Sequence, residues 1–99
     1  MLVHTVRFYL QPGLPPERGA ALRAGLESLR AIPDVRHLFV GAPAAVPTRP
    51  TIDTEFGFAL TAVFDDVAAH NRYQTHPVHL QFVAENKDSW ARVAVIDAE

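Results

Sequence analysis

The stretch RYQTHPVHLQF, residues 72–82, concentrates the side chains most able to do chemistry. Tyr73, His76 and His79 follow one another at three-residue steps, which on an unbroken helix would gather them on one side. Pro77 breaks that helix. The residue before a proline is pushed out of the α region, so His76 reads as a boundary and Pro77 as the start of a second helix. His79 then falls in the first turn, where the positive end of the helix dipole favours a neutral imidazole. A neutral imidazole accepts protons, which makes His79 a candidate general base. The competing reading is structural: the histidines cap and pin the helix break while Tyr73 packs in the core. Spacing by itself leaves both open and leans to the structural one.

His4 is a second candidate. It shares a strand face with Val6, Phe8 and Leu10, where a polar ring must find a partner or border a cavity. His37 and His70 read as structural. No metal is expected. His76 and His79 are two imidazoles, zinc catalysis takes three ligands and an open position, and only a chance approach of His4 or Asp97 would complete the set.

Other chemistries find little support. The chain has no cysteine, which excludes disulfides and thiolate catalysis. Ser28 and Ser89 are its only serines, and neither lies in a G-x-S-x-G context. The five glycines are scattered, so no phosphate-binding loop is present. Asp65 and Asp66 are adjacent and read as helix-start residues, with Asp65 as the N-cap. Basic residues are dispersed and the net charge is -2, which gives no reason to expect nucleic acid or an anionic membrane as a partner. No segment approaches the ~20 apolar residues of a membrane helix. The opening MLVHTVRFYL lacks a basic n-region and an unbroken apolar run. A cytoplasmic location without cofactor is therefore the expectation.

The elements that must position these residues follow from periodicity. At 99 residues, 48% of them hydrophobic, the chain is expected to form one globular domain over residues 2–97. Leu2–Leu10 alternates as a strand. Pro15 or Pro16 opens a helix whose stripe is Leu22, Leu26 and Leu29, and Pro33 ends it. VRHLFVG and FGFALTAVF are strands, separated by a proline-rich loop over 42–54 that has no helical period. A helix begins near Asp65, breaks at His76–Pro77 and resumes, and WARVAVIDA is the last strand. The order β-α-β-β-α-β is the split pattern of an α+β ferredoxin-like sandwich. Its helices cover one sheet face, and the other also carries Val3 and Tyr9, so a second copy of the chain is the simplest cover.

The strand VHTVRFYL, the IP-VRHLFVG unit, the AVFDDVAAHNRYQTHPVHLQF block and the short last strand together make the chain resemble the stress-responsive dimeric α/β-barrel (Dabb) family. The resemblance runs over residues 2–97, and its most specific parts are His4 and Tyr73-x-x-His76-Pro77-x-His79. It implies a homodimer whose two sheets close into a barrel. It also implies, in each subunit, a pocket between sheet and helices for a small, partly apolar or aromatic molecule. In a plant member that closes a linear polyketide by aldol condensation, a histidine and a tyrosine form the catalytic pair. By position these match His79 and Tyr73, with His4 as a further pocket histidine and His76 and Phe58 as further binding positions. Phe58 and Gly25 depart from that cyclase, which carries a pocket histidine and a pocket tyrosine there.

Overall fold

The computed structural model describes all 99 residues. Strand β1 (Leu2–Leu10) leads to α1 (Pro16–Ser28), β2 (His37–Gly41), β3 (Phe58–Phe64), α2 (Val67–Thr75), α3 (Pro77–Asn86) and β4 (Trp90–Ala98). The strands form one antiparallel sheet in the order β2-β3-β1-β4. This is the expected ferredoxin-like α+β protomer, with its second helix in two pieces.

Local sequence accounts for the boundaries. Pro16 is the first residue of α1, where its missing N–H costs nothing. The helix gives way to a short 3₁₀ turn over Leu29–Ala31, and Ile32 is extended ahead of Pro33. One expectation is corrected at α2. Its N-cap is Asp66, whose carboxylate accepts from the Ala69 N–H at 2.8 Å, and not Asp65. Asp65 instead accepts from Nε and Nη2 of the Arg36 guanidinium, at 2.9 and 2.6 Å. Position decides between them: Asp66 immediately precedes Val67, the first helical residue, so its carboxylate reaches the N–H of the third, Ala69.

Period-two alternation sorts the sheet into two faces. Leu38, Ala62, His4 and Asp97 form one cross-strand row on the helix-covered face, and Val40, Leu60, Val6 and Val95 form the next. Leu22, Leu26 and Leu29 press onto this face and are completely or almost completely buried. The helices do not reach over β4, so Val93 and Val95 stay 41% and 50% exposed. On the opposite face the row Phe39, Thr61, Thr5 and Ile96 lies open, with Phe39 66% and Ile96 57% exposed.

Gly25 brings α1 against α3. A Cβ there would meet Phe82 Cδ1 and Asn86 Nδ2, each at 2.9 Å, so a larger residue would have to displace those side chains. The long loop between β2 and β3 belongs to the open sheet face. Asp53 accepts hydrogen bonds from Arg7, at 2.9 Å, and from the Tyr9 hydroxyl, both on that face. Arg92 stacks over the Tyr9 ring at 3.7 Å.

Candidate functional site

A cavity of about 140 Å³ lies between the helix-covered face and the helices. Val6, Phe8 and Leu60 form its floor, and Leu26, Leu29 and Phe82 its roof. Val93 and Val95 line the side toward β4, where no helix closes the space. Against this apolar wall stand His4, Tyr73, Gln74 and His79.

The helix break assembles the polar group. On an unbroken helix each three-residue step drifts by about 60°, so Tyr73 and His79 would point about 120° apart. His76 is extended, with φ −64° and ψ 140°, and serves both helices. Its N–H donates to the Tyr73 carbonyl and its Nδ1 accepts from the Val78 N–H at 3.1 Å. The chain thereby turns a corner, and the Tyr73 and His79 ring centroids come within 4.7 Å.

His4 is 4% exposed, and its Nδ1 lies 2.5 Å from Asp97 Oδ1. The cross-strand pairing His4↔Asp97 places the carboxylate there. Above them the His70 ring lies 4.6 Å from that of His4, centroid to centroid, and its Nε2 contacts Gln74 Nε2 at 3.0 Å. Tyr73 is 1% exposed and packs edge-on against Phe64 at 4.8 Å.

Burial governs the electrostatics. It pushes the Tyr73 phenol well above the ordinary tyrosine range, so the side chain is a donor at neutral pH. Burial, reinforced by His4 and then His70 and opposed by the Gln74 backbone, holds His79 below the ordinary histidine range. Burial, followed by His4 and opposed by Asp97, does the same to His70. The His79 Nδ1 is buried without a hydrogen-bond partner. An imidazole kept neutral, with a free nitrogen beside a protonated phenol, can exchange a proton with a bound molecule.

Of the residues expected from sequence, His4, Tyr73 and His79 are brought together. His76 and Phe58 lie outside the cavity lining. His76 spends its ring nitrogen on the α3 cap and does not line the cavity. Phe58 is the cross-strand partner of Phe8, which lines the cavity, but Phe58 itself does not. The Arg23 guanidinium covers its ring at 5.7 Å. Gly25 also faces Phe82 and Asn86, and a tyrosine in its place would collide with α3. Asp97, which the sequence offers only as a chance metal ligand, and His70, which reads there as structural, join this group. Asp97 carried a signal, since it continues the parity of Val93 and Val95 and sets a carboxylate on the apolar face of the last strand. His70 carried none, because its approach to His4 depends on how α2 lies across the sheet.

Fold and site together define a ferredoxin-like α+β protein with a histidine-lined cavity beneath its helices. The family model described as the stress responsive A/B barrel domain matches residues 2–99, and the chain belongs to that family, Dabb. Among solved structures, a Dabb family protein with a ferredoxin-like fold from Mesorhizobium loti is 29% identical, covers 99% of this chain and 94% of its own, and superposes with a TM-score of 0.77. A dimeric ferredoxin-like protein of unknown function from Thermobifida fusca is 21% identical, with 98% and 88% covered and a TM-score of 0.81. A hydroxynitrile lyase from Passiflora edulis is 21% identical, with 98% and 90% covered and a TM-score of 0.80. No curated protein matches the sequence.

Proposed function

We propose that this chain is a small cytoplasmic homodimer that binds one small, partly apolar molecule in the cavity of each subunit. The observation that carries the proposal is a mostly apolar cavity lined by His79, whose Nδ1 is buried and without a partner. An unpaired buried polar atom costs about 1–3 kcal/mol, and a ligand hydroxyl or carbonyl group that engages the ring recovers it. A cavity of about 140 Å³ is close to the ~150 Å³ that holds benzene in an engineered core. The fitting class is therefore a single ring or short chain bearing one oxygen function, its apolar part against Phe8, Leu26 and Phe82.

A second reading makes the same site catalytic, in the manner of an intramolecular aldol condensation with a His/Tyr pair. The 4.7 Å approach of Tyr73 to a neutral His79 favours it. His79 would take an activated C–H proton, and the Tyr73 hydroxyl would donate to the carbonyl oxygen as negative charge develops there. His4, held by Asp97, would line the opposite wall. The Passiflora edulis neighbour, a hydroxynitrile lyase, is an enzyme on this fold.

The homodimer rests on the open sheet face. Phe39 and Ile96 are exposed in its central rows, and the Thermobifida fusca neighbour is a dimer. The sheets would pack face to face, with the Asp53 loop at the seam.

The test is a thermal-shift screen of wild type and His79→Leu against phenols, aryl ketones and short acyl compounds. A ligand at 100 times its Kd stabilises the fold by about 2.7 kcal/mol. A compound that stabilises wild type and loses most of that effect in His79→Leu supports the cavity reading and selects substrates for turnover assays. Equal shifts in both proteins, or none in any class, would remove it.

A further inference from the structure

We infer that His4, His70 and Asp97 form a binding site for a first-row divalent transition metal, at the wall of the cavity. The site goes beyond the cavity reading and is tested without any organic ligand. One ligand atom from each residue lies within 4.8 Å of the other two. They come from three separate elements: β1, α2 and β4. His4 and Asp97 are cross-strand partners in the sheet, and His70 reaches down from the helix above.

The distances suit closure on an ion. With metal–nitrogen and metal–oxygen bonds of about 2.0–2.2 Å, tetrahedral ligand atoms stand roughly 3.4 Å apart. His4 Nδ1 and Asp97 Oδ1, now at 2.5 Å, would open by about 1 Å as the metal replaces the proton they share. The His70 nitrogen would close by about 1.4 Å at most. Asp97 is on the exposed edge strand and is free to make that movement.

The donor set chooses the metal. Two imidazoles and one carboxylate suit zinc and its first-row neighbours, whereas magnesium and calcium take oxygen ligands. Three protein ligands leave a fourth position open. The surroundings can supply orientation: Gln74 Nε2 stands 3.0 Å from His70 Nε2, and with the ion on Nδ1 a turn of that amide would set its oxygen to accept the Nε2–H that fixes a metal-bound imidazole. His4 also lines the cavity, so an ion here would stand beside whatever the cavity holds.

The experiment is a titration of chelator-treated protein with Zn²⁺ by calorimetry and with Co²⁺ by visible absorption. The proteins are wild type, Asp97→Asn, His70→Ala, and the control pair His37→Ala and His76→Ala. Wild type is expected to take one ion per chain and to show intense cobalt d–d bands of low coordination number. Loss of an outer partner alone weakens metal sites roughly 10–100-fold, so Asp97→Asn and His70→Ala are each expected to weaken binding by at least that factor. The controls are expected to bind as wild type. Asp97→Asn keeps the shape of an exposed residue, so its folding is not in question. An absence of stoichiometric binding to wild type, or unchanged affinity in Asp97→Asn and His70→Ala, would overturn the site. Loss of binding in the controls would place the ion on surface histidines and overturn it equally.

Discussion

Replacing His79 by leucine tests the central physical claim about the cavity, because stability and binding are expected to move in opposite directions. Leucine removes the buried, unpartnered Nδ1, a relief of about 1–3 kcal/mol. It also removes the ring's interaction with the Gln74 backbone, which offsets about 0.5–1.5 kcal/mol. The net is a gain of about 1 kcal/mol, or a Tm rise of about 4–8 °C in a domain of this size. Differential scanning calorimetry in metal-free buffer measures it. The pH dependence gives a second reading of the same group. The folded-state pKa of His79 is lowered, so in the window below the ordinary histidine value of about 6.5 the unfolded chain binds a proton that the folded chain refuses. The stability that its neutral form contributes is complete above that value and is lost as pH falls through the window. His79→Leu flattens this slope, and the part due to His70, shifted the same way, stays. A leucine variant less stable than wild type by 1 kcal/mol or more, with an unchanged slope, would show that His79 holds the fold together and would refute the reasoning.

His76→Ala removes the N-cap of α3 and is expected to cost about 0.5–2 kcal/mol in urea denaturation, with cavity ligands binding the remaining folded protein as before. Gly25→Ala gains up to about 1 kcal/mol of helix propensity but drives a Cβ to 2.9 Å from Phe82 and Asn86. Overpacking costs about 1–3 kcal/mol, so a net loss near 1 kcal/mol is expected in the same assay. On the open face, Phe39→Asp and Ile96→Asp each forfeit about 1.5–3 kcal/mol of apolar burial per subunit and add a charge, so sedimentation is expected to show a dimer for wild type and monomers for both variants.

Sequence alone determined most of what rests on local chemistry or on the period of a repeat. Alternation in Leu2–Leu10 set which side chains share a face, and so put His4 among Val6 and Phe8. The prolines set where helices begin and stop, because their geometry constrains the chain whatever surrounds it. The same rule made His76 a boundary residue. The choice of Asp66 over Asp65 as cap was missed by one residue, since both have the right chemistry and only the register of the first turn separates them. Tertiary structure decided what depends on contacts between distant segments. Ninety-three residues separate His4 from Asp97, and strand register makes them neighbours. His70 looked like any helical histidine until α2 was laid across the sheet. Phe58 sits beside the cavity residue Phe8 with its ring under the Arg23 guanidinium, and the α3 cap occupies His76. The loop over 42–54 carries no periodicity to read, and two hydrogen bonds to Asp53 fix its side of the sheet. Periodicity and backbone constraint are properties of a few consecutive residues, whereas a site is a property of the packing that brings separate elements together.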